Sequence, residues 1–149
     1  MKAACQSSQT ILLQDAQKTF DFGARLARHV TGSPTIFLYG DLGSGKTTFS
    51  KGFIHARTGE PAESIASPTF VFVNFYGLEC DRVAHFDLYR LAGSQQFFSK
   101  GLDEYLGGST TALIEWPERI EGDIPWDIAI EFTVDGSMRK ATVRGADLV

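Results

Sequence analysis

The sequence has little cysteine, no long hydrophobic run and no excess of positive charge. Cysteine occurs only at Cys5 and Cys80, without the spacing of a metal site or the density of a disulfide scaffold, so we expect two free thiols. No segment approaches the ~20 apolar residues of a membrane span, and the N-terminal stretch lacks an apolar run of signal-peptide length. These absences predict a cytoplasmic protein that does not enter a membrane.

The charge balance argues against a broad nucleic-acid surface. Lysine and arginine total 14 and the acidic residues 18, which gives a net charge of −4. A surface that holds a phosphate backbone over a large area needs an excess of positive charge. If nucleic acid is involved, we therefore expect a partner protein to hold it.

Length and residue pattern favour one α/β domain over residues 1–149, of which 43% are hydrophobic. The elements expected along the chain are helices at 15–30, 46–58 and 94–106, strands at 35–40, 67–76 and 82–90, an apolar run at 111–116, and a final hairpin that turns at Asp135-Gly136. Gly101 weakens the third helix. Strands interleaved with helices predict a three-layer domain with a mixed, largely parallel sheet and a C-terminal β-hairpin.

The strongest motif is a glycine-rich loop between a predicted strand and a predicted helix. Gly40, Gly45, Lys46 and Thr47 fit the pattern G-x-x-x-x-G-K-[ST], and the flanking elements are those that the pattern requires. Glycines let the backbone curl so that its N–H groups face phosphate oxygens, and the helix start adds the positive end of its dipole. A turn that only connects the two elements is the alternative. The motif predicts a P-loop NTPase fold, with Lys46 on the phosphates and Thr47 on a magnesium ion.

An acidic partner for that magnesium ion is expected at the end of a neighbouring strand. Glu115 ends the apolar run "ALIE" and Asp87 ends "VAHFD". Either carboxylate would lie at the carboxyl edge of the sheet, where α/β folds place their ligands, although both could be ordinary solvated acids. Thr69, in the proline-containing loop "SPTF", is a candidate switch residue that would respond to the third phosphate.

Five motifs in order, "GDLGSGKTT", "SPTF", "HFDLYR", "GLDEYL" and "LIEWPERI", resemble the TsaE (YjeE) family of small bacterial ATPases. The resemblance runs from the first predicted helix to the end of the chain. It implies ATP and Mg²⁺ as cofactors and the TsaB and TsaD proteins as partners. That pair transfers a threonylcarbamoyl group to adenosine 37 of tRNA, and the resemblance implies that ATP turnover resets the pair and that tRNA is met only through the complex.

The resemblance also implies site residues. For the nucleotide these are Asp41, Leu42, Gly43, Ser44, Gly45, Lys46, Thr47 and Thr48. Leu13 to Asp15 are further candidates near the base, and Arg139 of the final hairpin is a further candidate for the nucleotide. For magnesium they are Thr47 and Glu115. Asp87 matches a family residue linked to activity, and Thr69 matches the threonine of the family's switch-like loop. Ser44 stands where alanine is usual in the family, at a position that contributes mainly backbone.

Two other functions compete with a partner-stimulated ATPase. A small-molecule kinase would share the loop, but it needs an acceptor-binding insertion and an arginine-rich lid, and the eight arginines here are scattered. A nucleotide-dependent binding module, in which ATP hydrolysis is incidental, is the second alternative. It would use the same loop as an ATPase, so the loop residues fit both functions.

Overall fold

Seven strands form a single mixed sheet in this computed structural model, which describes residues 8–148 and leaves Cys5 outside the described residues. The strands are β1 (Gln9–Leu13), β2 (Thr35–Tyr39), β3 (Val73–Leu78), β4 (Asp81–Asp87), β5 (Thr110–Glu115), β6 (Ile128–Asp135) and β7 (Met138–Arg144). The helices are α1 (Ala16–His29), α2 (Lys46–Thr58) and α3 (Ser94–Ser99), with short 3-10 turns at Ala62–Ser64, Leu102–Tyr105 and Pro117–Arg119.

The order of the strands places the ends of β2, β4 and β5 together. Across the sheet the order is β1-β7-β6-β2-β5-β4-β3. The inner strands β6, β2, β5 and β4 pair in parallel, whereas β1, β7 and β3 join as antiparallel strands at the two sides. Because parallel strands end at the same edge, the residues that follow or end β2, β4 and β5 meet there. The α/β class, the mixed sheet and the final hairpin are confirmed.

Helices cover both faces of the sheet, which makes three layers. Helix α1 begins after Asp15, whose carboxylate accepts a hydrogen bond from the Lys18 N–H at 2.8 Å and so caps the helix. Together α1 and α2 bury one face of the sheet through side chains such as Phe49 and Phe53. On the other face, α3 buries Phe97 against the sheet. Both faces of the sheet are therefore covered by helices and buried from water.

Three predicted boundaries are wrong. The strand expected from residue 67 begins at Val73, because the Phe72 N–H bonds to the Pro68 carbonyl and Phe72 has a φ of 69°, which breaks the extended backbone. The strand expected to reach residue 90 ends at Asp87, where a turn follows. The helix expected over 94–106 ends at Ser99, and Gly101 in the left-handed region precedes a separate 3-10 turn.

The N-terminal run "TILL" forms β1, an element that the sequence pattern did not assign. It pairs with β7 over its whole length, with Gln9 opposite Val143 and Leu13 opposite Arg139. Cys80 is a free, exposed thiol. Within residues 8–148, no helix has both the length and the apolar character needed to cross a membrane.

Candidate nucleotide site

The glycine-rich loop connects β2 directly to α2, as the motif predicts. Gly45 is the residue before the helix, its φ is 113°, and no side chain caps the helix there. Gly40 has a φ of 149°, and a Cβ atom on it would lie 2.9 Å from the Phe132 carbonyl oxygen. The loop therefore needs glycine at both positions, and the first N–H groups of α2 remain available for an anion.

Lys46 lies inside this loop and is almost completely buried. Its side chain folds back so that Nζ donates to the carbonyl oxygen of Gly40, and to that of Asp41 at 3.2 Å. The Trp116 ring covers the ammonium group, whose Nζ lies 4.0 Å from the ring centroid. Burial lowers the pKa of Lys46, while the neighbouring carboxylates, Glu115 first among them, act in the opposite direction. The ammonium group of Lys46 therefore lies inside the loop, against the loop's own carbonyl oxygens.

The Thr47 hydroxyl meets Glu115 across the carboxyl edge of the sheet. Thr47 is at the start of α2 and Glu115 ends β5, and Thr47 Oγ1 donates to Glu115 Oε1 at 3.1 Å. Glu115 is 2% exposed. A buried carboxylate beside a hydroxyl at a helix start supplies two hard oxygen atoms in one place. The structure therefore brings together the two residues expected to hold magnesium.

A buried histidine contacts the other oxygen of the same carboxylate. His85 Nε2 lies 2.5 Å from Glu115 Oε2, and His85 is completely buried. Since a carboxylate can only accept, the imidazole Nε2–H is the donor. Glu115 is thus hydrogen-bonded on one oxygen by Thr47 and on the other by His85, which fixes the plane of the carboxylate.

Asp87 lies next to Glu115, because β4 and β5 pair in parallel with these two residues in register. Asp87 Oδ2 accepts from the Ser67 hydroxyl at 2.5 Å, and Oδ1 accepts from the Tyr89 N–H at 3.0 Å. The carboxylate is 6% exposed. It therefore ties the start of the loop at 67–72 to the end of β4.

That loop carries Thr69 to the site. The Phe72 N–H donates to the Pro68 carbonyl oxygen, which closes a turn, and the exposed side chains of Phe70 and Val71 follow Thr69 directly. Arg90 stacks on the Phe70 ring, with Cζ 4.5 Å from the ring centroid.

These groups enclose one cavity of about 400 Å³ at the edge of the sheet. Its lining comprises Asp41, Leu42, Gly43, Ser44, Gly45, Lys46, Thr47, Thr48, Ser67, Thr69, Asp87, Glu115, Trp116 and Arg139. Arg139 reaches it from the start of β7. The lining does not include the remaining candidates, Leu13, Gln14 and Asp15. Leu13 is buried in the core and Asp15 caps α1.

The donor set suits magnesium bound partly by phosphate. Within residues 8–148 there is no cluster of three His, Cys, Asp or Glu side chains that could hold a metal alone. Magnesium in nucleotide sites commonly takes one or two protein oxygens and fills its remaining positions with phosphate oxygens and water. Thr47 and Glu115 fit that arrangement.

Sequence reasoning assigned no role to His85 or Ser67. His85 carried a usable signal, since it stands two residues before Asp87 and therefore on the same face of the strand. Its contact with Glu115 depends on the pairing of β4 with β5, which no local pattern shows. Trp116, the residue after Glu115, covers Lys46 with its ring.

The sequence and the fold are similar to those of known proteins. A family model described as "Threonylcarbamoyl adenosine biosynthesis protein TsaE" matches residues 13–142. The tRNA threonylcarbamoyladenosine biosynthesis protein TsaE of Aquifex aeolicus is 33% identical over 134 residues, covering 89% of this chain and 93% of that protein. The protein of the same name from Rickettsia bellii is 39% identical over 119 residues, covering 80% and 81%. The crystal structure of Bacillus subtilis YdiB superposes with a TM-score of 0.73 and 26% identity, covering 95% of this chain and 88% of that one.

Proposed function

The chain belongs to the TsaE family, and from that premise we propose that it is a magnesium-dependent ATPase that supports threonylcarbamoyladenosine modification of tRNA. The observation that carries the ATPase proposal is the contact between Thr47 Oγ1 and Glu115 Oε1 at 3.1 Å, immediately beside the buried ammonium of Lys46. A phosphate loop, a metal-binding hydroxyl and a strand-end carboxylate are the recurring parts of sites that cleave a terminal phosphoanhydride.

Each residue then has a distinct task. The loop N–H groups and Lys46 bind the phosphates and stabilise negative charge on them. Thr47 and Glu115 hold magnesium, which neutralises charge on the phosphate oxygens when it is bound. We assign to Asp87 the orientation of the attacking water, and its hydrogen bond to Ser67 supports a second task, which is to anchor the loop that carries Thr69. Arg139 also lines the cavity, and we assign to it a contact with the nucleotide beyond the phosphates.

Exposed apolar side chains around the cavity support the proposal that a macromolecular partner binds there. Leu42 lines the cavity and is 71% exposed, and the neighbouring loop exposes 77% of Phe70. Grouped apolar side chains on a soluble domain commonly mark a protein interaction site. We propose that the TsaB and TsaD proteins cover this mouth, that their contact stimulates hydrolysis, and that the hydrolysis resets their complex.

The test is ATP hydrolysis by the purified chain, alone and with purified TsaB and TsaD proteins, with and without tRNA. We expect slow turnover alone and an increase of tenfold or more with the two partners. Rapid hydrolysis that needs no partner, or fast phosphate transfer to a small acceptor, would contradict the proposal.

His85 should matter for the use of magnesium rather than for ATP affinity. Partners that hydrogen-bond a metal ligand change metal affinity or activity by about 10- to 100-fold when removed. We therefore expect His85→Leu to raise the Mg²⁺ concentration for half-maximal hydrolysis by about 10-fold and to lower kcat, with ATP affinity changed less than threefold.

His85→Gln is the matched variant, since its amide N–H can still donate to Glu115. It should recover part of the lost rate, whereas a purely structural defect would show as a lower unfolding temperature in both variants. Equal magnesium dependence in His85→Leu and the wild type would contradict this role.

A further inference from the structure

The ammonium group of Lys46 is in contact with three groups of the protein itself. A lysine ammonium has three N–H donors. Nζ donates to the carbonyl oxygen of Gly40 and, at 3.2 Å, to that of Asp41. The Trp116 ring supplies the third contact, with its centroid 4.0 Å from Nζ. A phosphate oxygen that accepts a hydrogen bond from Lys46 must therefore replace one of these three contacts.

The Trp116 ring is the contact that a phosphate can replace most easily. The two carbonyl groups belong to the backbone of the phosphate loop, whereas the ring belongs to a side chain that can change rotamer. In the part of the chain that the structure describes, Lys46 forms no ion pair, so no carboxylate competes for its ammonium group. An anion attracts an ammonium group more strongly than an aromatic face does. Phosphate binding should therefore displace the ring and keep the two carbonyl bonds.

The backbone of Trp116 and a second aromatic ring hold the indole beside Lys46. Trp116 directly precedes Pro117, where an extended backbone is usual, yet its φ is 61° and its ψ is 49°. A left-handed backbone in a residue other than glycine is strained, and such strain is concentrated at functional sites. The Tyr89 ring lies against the indole, with the two ring centroids 5.0 Å apart. The strained backbone and the Tyr89 contact together give the indole a defined position at the nucleotide cavity, which it lines.

We propose that Trp116 blocks the phosphate position on Lys46 and that a phosphate group displaces the indole when it binds. Trp116 is then a positioning residue, which acts on the nucleotide through Lys46. The ring lowers the affinity for every ligand whose phosphate reaches this ammonium group. Tyr89 is 39% exposed and contacts the indole, so it links the position of the ring to the surface of the domain. This proposal rests on the nucleotide site proposed above and adds a step to ATP binding.

The first test compares the ADP affinity of the wild type, Trp116→Leu and Trp116→Phe by calorimetric titration. Leucine has no aromatic face, so Trp116→Leu should bind ADP about 10-fold more tightly than the wild type. Phenylalanine keeps an aromatic face, and Trp116→Phe should show a smaller increase. Trp126→Leu is the matched control, because Trp126 is also partly buried but does not line the nucleotide cavity. It should leave ADP affinity within about twofold of the wild type.

The second test follows the indole itself. The sequence contains two tryptophans, so Trp126→Phe leaves Trp116 as the only one. Acrylamide quenching of its fluorescence should rise at least twofold when sodium pyrophosphate saturates the site, because the displaced ring meets water, and should not change with NaCl at the same ionic strength. Pyrophosphate brings phosphate groups without a base that could cover the ring. Its competition with ADP in the calorimeter shows that both bind at the same site.

Equal or weaker ADP binding by a folded Trp116→Leu variant would overturn the proposal, and so would unchanged quenching at saturating pyrophosphate. A purely structural role would lower ADP affinity in Trp116→Leu rather than raise it. If this variant unfolds at a much lower temperature than the wild type, the quenching result decides. A wild type that binds neither ADP nor pyrophosphate would overturn this proposal and the nucleotide site together, whereas the first two results, with normal ADP binding by the wild type, would overturn this proposal alone.

Discussion

Replacing Lys46 with alanine should strongly weaken ATP binding. The side chain is buried inside the phosphate loop, and the variant loses the only ammonium group among the residues that line the nucleotide cavity. Hydrogen bonds to charged groups contribute about 1.5–3 kcal/mol each, so we expect ATP affinity to fall by about 10- to 100-fold. Titration of ATP into the purified variant measures this directly.

Lys51→Ala is the matched control for that experiment. Lys51 lies further along α2, does not line the cavity and is partly exposed, so its loss should change ATP affinity by less than twofold. Thermal unfolding of both variants checks that the loop still folds, because Lys46 also bonds two loop carbonyls. Normal ATP affinity in Lys46→Ala would refute the assignment of the phosphate loop.

Glu115→Gln should reduce hydrolysis far more than ATP affinity. The substitution keeps the size of the side chain but removes the charge that lies beside Thr47 and His85. Stabilising charge in a phosphoryl-transfer transition state is worth several kcal/mol, so we expect kcat to fall by about 100-fold or more. ATP affinity should change by less than fivefold, because Lys46 and the loop N–H groups remain.

Asp87→Asn is the informative comparison, since Asp87 is in register with Glu115 on the adjacent strand. If Glu115 holds magnesium, its variant should need much more Mg²⁺ for half-maximal hydrolysis, and the Asp87 variant should mainly lose rate. An unaltered rate in Glu115→Gln would move the metal-binding role to Asp87.

The sequence was sufficient where local pattern determines structure. Helix α2 runs over Lys46–Thr58, the residues predicted, because the loop glycines and Gly59 mark both of its ends. The loop residues and the strand-end carboxylates of Asp87 and Glu115 also fall in one cavity, as expected. These features follow from strand, glycine and helix signals that lie close together in the chain.

Features that depend on pairing across the sheet were not predictable. Strand β1 exists because β7 lies beside it, and the contact between His85 and Glu115 joins residues thirty positions apart through the pairing of β4 with β5. The residue types at 67–72 alternate as they would in a strand. Phe72, however, has a left-handed backbone conformation, so the extended strand does not include this loop. The periodicity of a sequence indicates helices and strands, but it does not indicate which strands lie next to each other in the sheet.

The most direct test of the central claim is a multiple-turnover assay of threonylcarbamoyladenosine formation, with substrate tRNA in large excess over the TsaB and TsaD proteins. With the wild-type chain and MgATP, we predict many modified tRNA molecules per complex, with modification and ATP hydrolysis lost together in Lys46→Ala and Glu115→Gln. Sustained modification by either variant at the wild-type rate would contradict the claim that ATP turnover at this loop drives the cycle.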